Sequence, residues 1–176
     1  VVNNTNGCQT SQSIQVFIDT VPPVAFAGPP VDINCGVPQA VLDGTLSSNA
    51  PFFSYQWTTT NGNIVNGAGT LTPLIDKEGI YNLIVTDDLN GCTAQSVTFV
   101  NGDFLKPTVI IEDPDKLTCT IDLVILDASN SDFNSSVSFI WNTTGGNIVS
   151  GANTVTPVVN APGVYNLTSV NSSNGC

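Results

Sequence analysis

The side chains with the clearest chemical potential in this chain are five cysteines, which recur with a fixed period. Cys8, Cys92 and Cys176 lie 84 residues apart, and the same 84 residues separate Cys35 from Cys119. No two cysteines have the short spacing of a zinc or redox motif. The expected chemistry is therefore disulfide formation in an oxidising, extracellular compartment.

The 84-residue period indicates tandem copies of one module. Symmetry between these copies predicts one disulfide per module, Cys35–Cys92 and Cys119–Cys176. Each bridge would close a loop of roughly 58 residues and contribute about 4 kcal/mol in the chain-entropy description. We expect each bridge to staple one pole of its module. Cys8 has no equivalent partner in the chain, so we expect its partner in a preceding module, with an interchain bond or a free thiol as the alternatives.

Catalytic chemistry has little support in this sequence. The chain contains no histidine, the commonest general base. Serine and threonine are abundant, but no GxSxG or SxxK motif accompanies them. Nothing predicts a cleft that would raise the pKa of one carboxyl of a pair. We therefore predict no enzymatic activity and no cofactor.

Acidic side chains dominate the charge. Fourteen acids against three basic residues give a net charge of −11, which repels nucleic acid and anionic lipid surfaces. The sequence also lacks a run of about 18 apolar residues, so we expect no direct membrane insertion. Four acids near the second proline-marked boundary could supply oxygen ligands to calcium: Asp103, Glu112, Asp113 and Asp115. No EF-hand spacing is present, and the interpretation we favour is a solvated acidic surface.

Alternation of apolar and polar residues predicts strands throughout the chain. The alternating apolar sets are Phe53, Tyr55 and Trp57; Val137, Phe139 and Trp141; Tyr81, Leu83 and Val85; and Val97 with Phe99. Asn-Gly turns separate them, and about six or seven short strands per period indicate an all-β fold of tandem antiparallel β-sandwiches. Trp57 and Trp141 are the expected core anchors, and Tyr81 and Tyr165 are placed for a tyrosine-corner role.

Prolines mark the module boundaries. The chain divides into residues 1–20, the final strand of a preceding module around Ile14–Ile18; residues 21–104, the first complete sandwich; and residues 105–176, a second sandwich lacking its last strand. These overlapping ends suggest part of a longer array, or a subunit whose missing strand comes from a neighbour.

Five sequons offer glycosylation positions if the source modifies them, and chance explains such sequons about as well in an Asn- and Thr-rich chain. They begin at Asn3, Asn134, Asn142, Asn166 and Asn171.

The segments PPVAFAGPP, YQWTTTNGNIVNGAGTLTP, GIYNLIVTD and NGCTA resemble the PKD-like, immunoglobulin-like repeats of very large Bacteroidota surface proteins. These include gliding-motility adhesins exported by the type IX system. The chain differs from the PKD signature where Thr58–Gly62 replaces an Asp-rich turn after the tryptophan. The resemblance implies an extracellular, cell-surface location and modules used as a stalk or fibre. It also implies an O-linked glycan on Thr20, in the motif Asp19-Thr20-Val21.

The function we predict is structural: a repeat segment of an extracellular fibre or adhesin stalk that associates with neighbouring modules or chains. Short, proline-stiffened linkers between stapled modules favour it. The alternative is a glycan- or surface-binding module of a secreted adhesin or hydrolase, in which exposed residues such as Phe52 make the contact.

Overall fold

Strands and loops, without a helix, make up the described part of the chain, which in this computed structural model is residues 5–6 and 8–176. The first module contains β1 (Val31–Asn34), β2 (Ala40–Val41), β3 (Phe53–Thr60), β4 (Asn63–Asn66), β5 (Leu74–Lys77), β6 (Gly79–Asp87) and β7 (Thr93–Asp103). The second contains β8 (Val124–Ile125), β9 (Val137–Thr144), β10 (Asn147–Ser150), β11 (Val158–Ala161) and β12 (Val164–Asn171). No helix among the described residues is long and apolar enough to cross a membrane.

The first module is an immunoglobulin-like sandwich of two sheets. One sheet has the order β1-β7-β6-β3 and the other the order β2-β5-β4. All neighbours are antiparallel except β1, which runs parallel to β7. Two packed sheets of short, mainly antiparallel strands are the immunoglobulin-like arrangement, so the predicted all-β sandwich fold is confirmed.

The strands predicted from alternation around Trp57 and Tyr81 form as β3 and β6, and their alternating apolar residues face the core. Trp57, Tyr81, Leu83 and Val85 are each at most 1% exposed, while the residues between them point away from the core. The second module has its own core around Trp141, with Val124, Leu126, Ala128 and Val159. Two separate cores mean that each module buries its own apolar surface.

Strand β7 forms where the sequence predicts it, but the apolar residues that identify it lie on its outer face. Val97 and Phe99 are about half exposed, whereas Thr98 and Val100 are buried. The pairing with β6 sets this orientation, because Thr98 lies opposite the buried Tyr81. Side chains of directly paired residues share a face, so β7 must turn Thr98 inward and its larger neighbours outward.

The second module has no described counterpart of β7. Its β9 and β12 therefore form a two-stranded sheet, and residues 115–118, which correspond to β1, form no strand because β1 pairs only with β7. A groove of about 430 Å³ remains beside Val124, Leu126 and Val159. Beside it Tyr165 and Leu167 are partly exposed, whereas their counterparts Tyr81 and Leu83 in the first module are buried.

Residues 10–20 form no strand in the structure, and their apolar side chains lie in solvent. Ile14, Val16, Phe17 and Ile18 are each at least 80% exposed. The assignment of residues 1–20 to a preceding module stays a prediction. The sequon at Asn3 lies outside the described residues.

Candidate functional site

The two modules are joined covalently by a disulfide between Cys35 and Cys176, whose Cα atoms are 5.0 Å apart. This pairing corrects our expectation of Cys35–Cys92 and Cys119–Cys176. Cys92 and Cys119 are free thiols in the structure, as is Cys8. The bridge therefore crosses the junction between modules and does not staple a pole of one module.

The strand topology explains why the expected pairing fails. Asn34, which precedes Cys35, pairs with Asp103 at the end of β7, whereas Cys92 precedes the start of β7 at Thr93. An 11-residue strand is about 35 Å long at about 3.3 Å per residue. A disulfide requires Cα atoms within about 7 Å, so two cysteines at opposite poles of one sandwich cannot bond.

Asn174 is the polar centre of the junction. It is 2% exposed, and its amide donates hydrogen bonds to Asp103 Oδ1 at 2.9 Å and to the Leu105 carbonyl at 3.0 Å. The backbone carbonyl of Asn174 accepts a hydrogen bond from the Gly36 N–H at 3.1 Å. One turn of the second module therefore holds both the linker and a loop of the first module.

Close packing at the junction requires glycine at position 175. Gly175 has a φ of 73°, and a Cβ there would come within 2.7 Å of the Gly36 backbone nitrogen. A larger residue would have to adopt a rare backbone conformation and displace backbone atoms. The repeated Asn-Gly-Cys sequence is thus a junction element in which Asn bonds the linker, Gly allows close approach and Cys forms the bridge.

The acids proposed as calcium ligands have other partners or lie apart. Asp103 accepts hydrogen bonds from Asn174 and from the Leu105 N–H, and Glu112 accepts one from the Asn130 side chain. Asp113 and Asp115 are exposed. Among the described residues, no group of three or more His, Cys, Asp or Glu side chains is placed to hold a metal ion.

Two other carboxylates have a structural role at turns. Asp43 accepts hydrogen bonds from the Thr45 hydroxyl and N–H, and these bonds lower its pKa. In the second module Asp127 is bonded by Ser129, and the pKa of that carboxyl is lowered for the same reason. Both acids follow an apolar strand, where such residues cap turns.

The tryptophans explain much of the sequence that the modules share. The Trp57 indole N–H donates to the Thr70 carbonyl at 2.9 Å, and the Trp57 backbone N–H donates to the Ala68 carbonyl at 2.7 Å. Trp141 repeats both bonds with Thr154 and Ala152. The segment after each tryptophan is therefore held against the core by that tryptophan.

Tyr81 and Tyr165 have tyrosine-corner geometry. The Tyr81 hydroxyl donates to the Lys77 carbonyl at 2.6 Å and accepts from the Asn63 N–H at 2.9 Å. Tyr165 repeats the first contact with Ala161 at 2.6 Å. Burial raises the pKa of the Tyr81 phenol, mainly because the ionised form would lose solvation. Both tyrosines thus build the fold.

The predicted glycosylation positions are accessible to different degrees. Thr20, Asn134, Asn142 and Asn166 are exposed. Asn171 is half-buried, and its side chain accepts a hydrogen bond from the Ser173 N–H at 3.0 Å. Modification at all five positions stays a prediction.

Sequence reasoning missed Gly36 and Asn174 as junction residues, and it placed Asp103 at the junction only as a candidate calcium ligand. The available signal was the asparagine two residues before Cys92 and Cys176, which recurs although its neighbours at positions 89 and 173 differ. Its partner in the linker lies far away in sequence, so no local pattern connects the two.

No protein-family model matches the chain. Among solved structures, it is similar to a chimeric titin Z1Z2 tandem carrying a GRGDS peptide from fibronectin, with 13% identity and a TM-score of 0.34 over 88% of this chain and 95% of that one. It is similar to titin immunoglobulin tandem domains A164-A165, with 12% identity and a TM-score of 0.32 over 88% and 92%. Extracellular domains 3–5 of Drosophila OTK give 12% identity and a TM-score of 0.30 over 86% and 56%. The immunoglobulin-like architecture rests on the strand order of the chain itself.

Proposed function

We propose that this chain is a structural segment of an extracellular fibre or adhesin stalk, built from modules joined end to end. The observation that carries the proposal is the Cys35–Cys176 bridge, because it links neighbouring modules across their junction. A stalk must transmit force along its length, and a covalent cross-link beside the linker carries part of that force between the modules. Catalysis has no part in this function.

The junction hydrogen bonds support the same function. The buried Asn174 side chain bonds the linker at Asp103 and Leu105, and Pro107 follows two residues later. A linker with a fixed partner and a proline has few accessible conformations. Such a junction favours an extended, semi-rigid array over freely jointed modules.

The resemblance and the disulfide support the proposed location and family. A disulfide persists in an oxidising compartment, which supports an extracellular chain. The PKD-like segments around Trp57 and Trp141 support a cell-surface repeat of the Bacteroidota adhesin type. We extend the proposal to the module boundaries 21–104 and 105–176 and to glycans on the exposed positions, Thr20 among them.

Residues 9–20 supply the last strand of a neighbouring module in this proposal. At the 84-residue offset Ile14 corresponds to the buried Thr98 of β7, and Val16 corresponds to the buried Val100. Both side chains are about 90% exposed here, at 91% and 88%. A strand with an unburied apolar face needs a sheet edge, and β12 offers one beside the groove at Val124 and Leu126, because among the described strands it pairs only with β9.

Electron microscopy of the native material tests the proposed function. We expect filaments with an axial repeat of one or two sandwich lengths, which disulfide reduction makes more flexible. Dispersed monomers on the native surface would contradict the proposal.

A glycan-binding module is the second candidate, and Phe133 favours it. Its ring is 73% exposed and stacks on Phe139, with centroids 6.3 Å apart, beside a concave surface that includes Asn153 and Thr154. An exposed ring beside polar groups can stack on a sugar. A glycan array with the intact chain and with Phe133→Ala tests this, with Leu46→Ala, at an exposed apolar residue of the first module, as the control. Binding lost only with Phe133→Ala would support the candidate, and the absence of any binding would eliminate it.

A further inference from the structure

We propose that Cys92 and Cys119 are the two halves of a second junction of the same kind, so that Cys119 of one chain bonds Cys92 of a second copy. The inference rests on the proposed function, since it names the next module of the array as the partner. It makes the array a covalent head-to-tail chain of modules.

The internal repeat supplies the main argument. Cys92 corresponds to Cys176, and Cys119 corresponds to Cys35, each at the 84-residue offset. The bridge seen in the structure joins a Cys35-type residue of one module to a Cys176-type residue of the next. By the same rule Cys119 bonds the Cys92-type residue of a following module, and Cys92 bonds the Cys119-type residue of a preceding one.

The turn at Cys92 already has the geometry of the bonded turn at Cys176. Gly91 and Gly175 have φ values of 74° and 73°. The Cys92 N–H donates to Asn90 Oδ1 at 2.8 Å, and the Cys176 N–H donates to Asn174 Oδ1 at 3.1 Å. The Asn90 side chain also donates to the Val21 carbonyl at 3.0 Å, as Asn174 does to Leu105. This turn requires no rearrangement before it bonds.

The receiving turn at Cys119 is also formed. The Thr118 N–H donates to the Ile121 carbonyl at 2.9 Å, as the Asn34 N–H does to Val37 at the bonded junction. Thr120 replaces Gly36 here, and a Cβ at this position can be accommodated. A Cβ on Gly36 would lie 3.7 Å from Gly175 Cα, an ordinary van der Waals distance. A second Asn-Gly-Cys turn can therefore approach Thr120.

A second chain can approach the turns that carry these thiols, but the two thiols of one chain are too far apart to bond each other. A Cβ on Gly91 would meet no atom within 4 Å, whereas one on Gly175 meets Gly36. Cys119 is exposed. Cys92 lies at the pole of the first module away from the junction, and Cys119 occupies the corresponding far pole of the second. A bond between them within one chain would have to span both sandwiches.

The chemistry is a thiol–disulfide exchange. The Cys119 thiolate attacks glutathione disulfide and releases one glutathione thiolate, and the Cys92 thiolate of the second copy then displaces the other glutathione. Two protein thiols are oxidised, one glutathione disulfide is reduced to two glutathiones, and two protons pass to the leaving thiolates. The Cys35–Cys176 bridge is unaffected.

The test uses the 176-residue chain with Cys8→Ser, which leaves Cys92 and Cys119 as the free thiols. A mixture of unlabelled and ¹⁵N-labelled chain is oxidised with glutathione disulfide, separated on a non-reducing gel and mapped by peptide mass without reduction. We expect a ladder of covalent oligomers containing mixed-label Cys92–Cys119 peptides. Cys92→Ser and Cys119→Ser, each added singly, should abolish the ladder and leave only glutathione adducts.

Three outcomes overturn the inference. Random oxidation would give Cys92–Cys92 and Cys119–Cys119 dimers as readily as the mixed bond, and the single variants would still dimerise. An absence of oligomers, in a sample whose Cys35–Cys176 bridge is intact, would also refute it. Filaments in native material without Cys92–Cys119 bonds would refute this inference and leave the proposed function standing.

Discussion

At the scale of single residues, the side chains shared by the two modules hold distant backbone segments together. Trp57 bonds the segment that follows β4, and Tyr81 bonds the backbone at the start of β4 and at the end of β5. Trp141 and Tyr165 repeat these contacts. The recurrence of these residues in both copies therefore has a structural cause, and it requires no shared ligand site.

Replacing Tyr81 with phenylalanine tests this role. The change removes the hydrogen bond to Lys77 and leaves the Asn63 N–H without its acceptor. We expect the free energy of unfolding of the first module to fall by about 1–3 kcal/mol, because a buried group loses its partner. Urea denaturation followed at amide NMR signals of that module measures the change. Tyr55→Phe, which breaks one hydrogen bond to Ser48, is the control and should cost less.

Acid should destabilise the chain through its turn carboxylates. Hydrogen bonds lower the pKa of Asp43, Asp127 and Asp132 from the ordinary value of 3.8. Because the folded-state pKa is the lower one, the contribution is present above pH 3.8 and is lost as the pH falls through the folded-state pKa values. Thermal melts between pH 5 and pH 2, in steps of about half a unit, should show this loss. Asp43→Asn should weaken the dependence for the first module, and an unchanged profile in that variant would contradict the assignment.

At the scale of elements, pairing decides which face of a strand is buried. The alternation of Val97 and Phe99 identifies β7 as a strand, but its pairing with β6 turns those residues outward. An alternating pattern gives the period of a strand and not its inward face when both faces carry apolar residues. The same reasoning identifies Ile14 and Val16, which align with the buried residues of β7, as the face of residues 9–20 that needs a partner.

A double substitution, Ile14→Asp with Val16→Asp, tests that strand. Both side chains are exposed in the structure, so the stability of the two sandwiches should not change. Association between copies should be lost, because aspartate cannot enter an apolar groove. Sedimentation velocity measures association, and Gln15→Asp on the opposite face is the matched control. Equal loss in the control, or no loss in the double variant, would refute the assignment.

At the scale of the whole molecule, the Cys35–Cys176 bridge sets the relation between the modules. It links residues 141 apart in sequence, and a loop of this length corresponds to about 5 kcal/mol in the chain-entropy description. Each module keeps its own core. The bridge therefore acts mainly on the angle between sandwiches, and its loss should leave both folded.

Small-angle X-ray scattering of the Cys35→Ser, Cys176→Ser double variant measures this effect. We expect a broader distribution of inter-module distances than in the intact chain, with unchanged circular dichroism. The variant with Cys92→Ser and Cys119→Ser is the matched control and should scatter like the intact chain when monomeric. Identical scattering from the two double variants would show that Asn174 and the linker alone hold the junction.

The sequence by itself determined the period, the all-β sandwich fold, the strands and their tryptophan and tyrosine anchors, because these depend on local alternation and on comparison of two copies in register. It did not determine which cysteines bond. Symmetry allows either one bridge per module or one bridge per junction, and both satisfy the 84-residue spacing. Tertiary structure decided between them, because β7 carries Cys92 away from Cys35 and the next module brings Cys176 to it. Disulfide formation depends on distance in space, which the order of strands across a sandwich sets and sequence spacing does not.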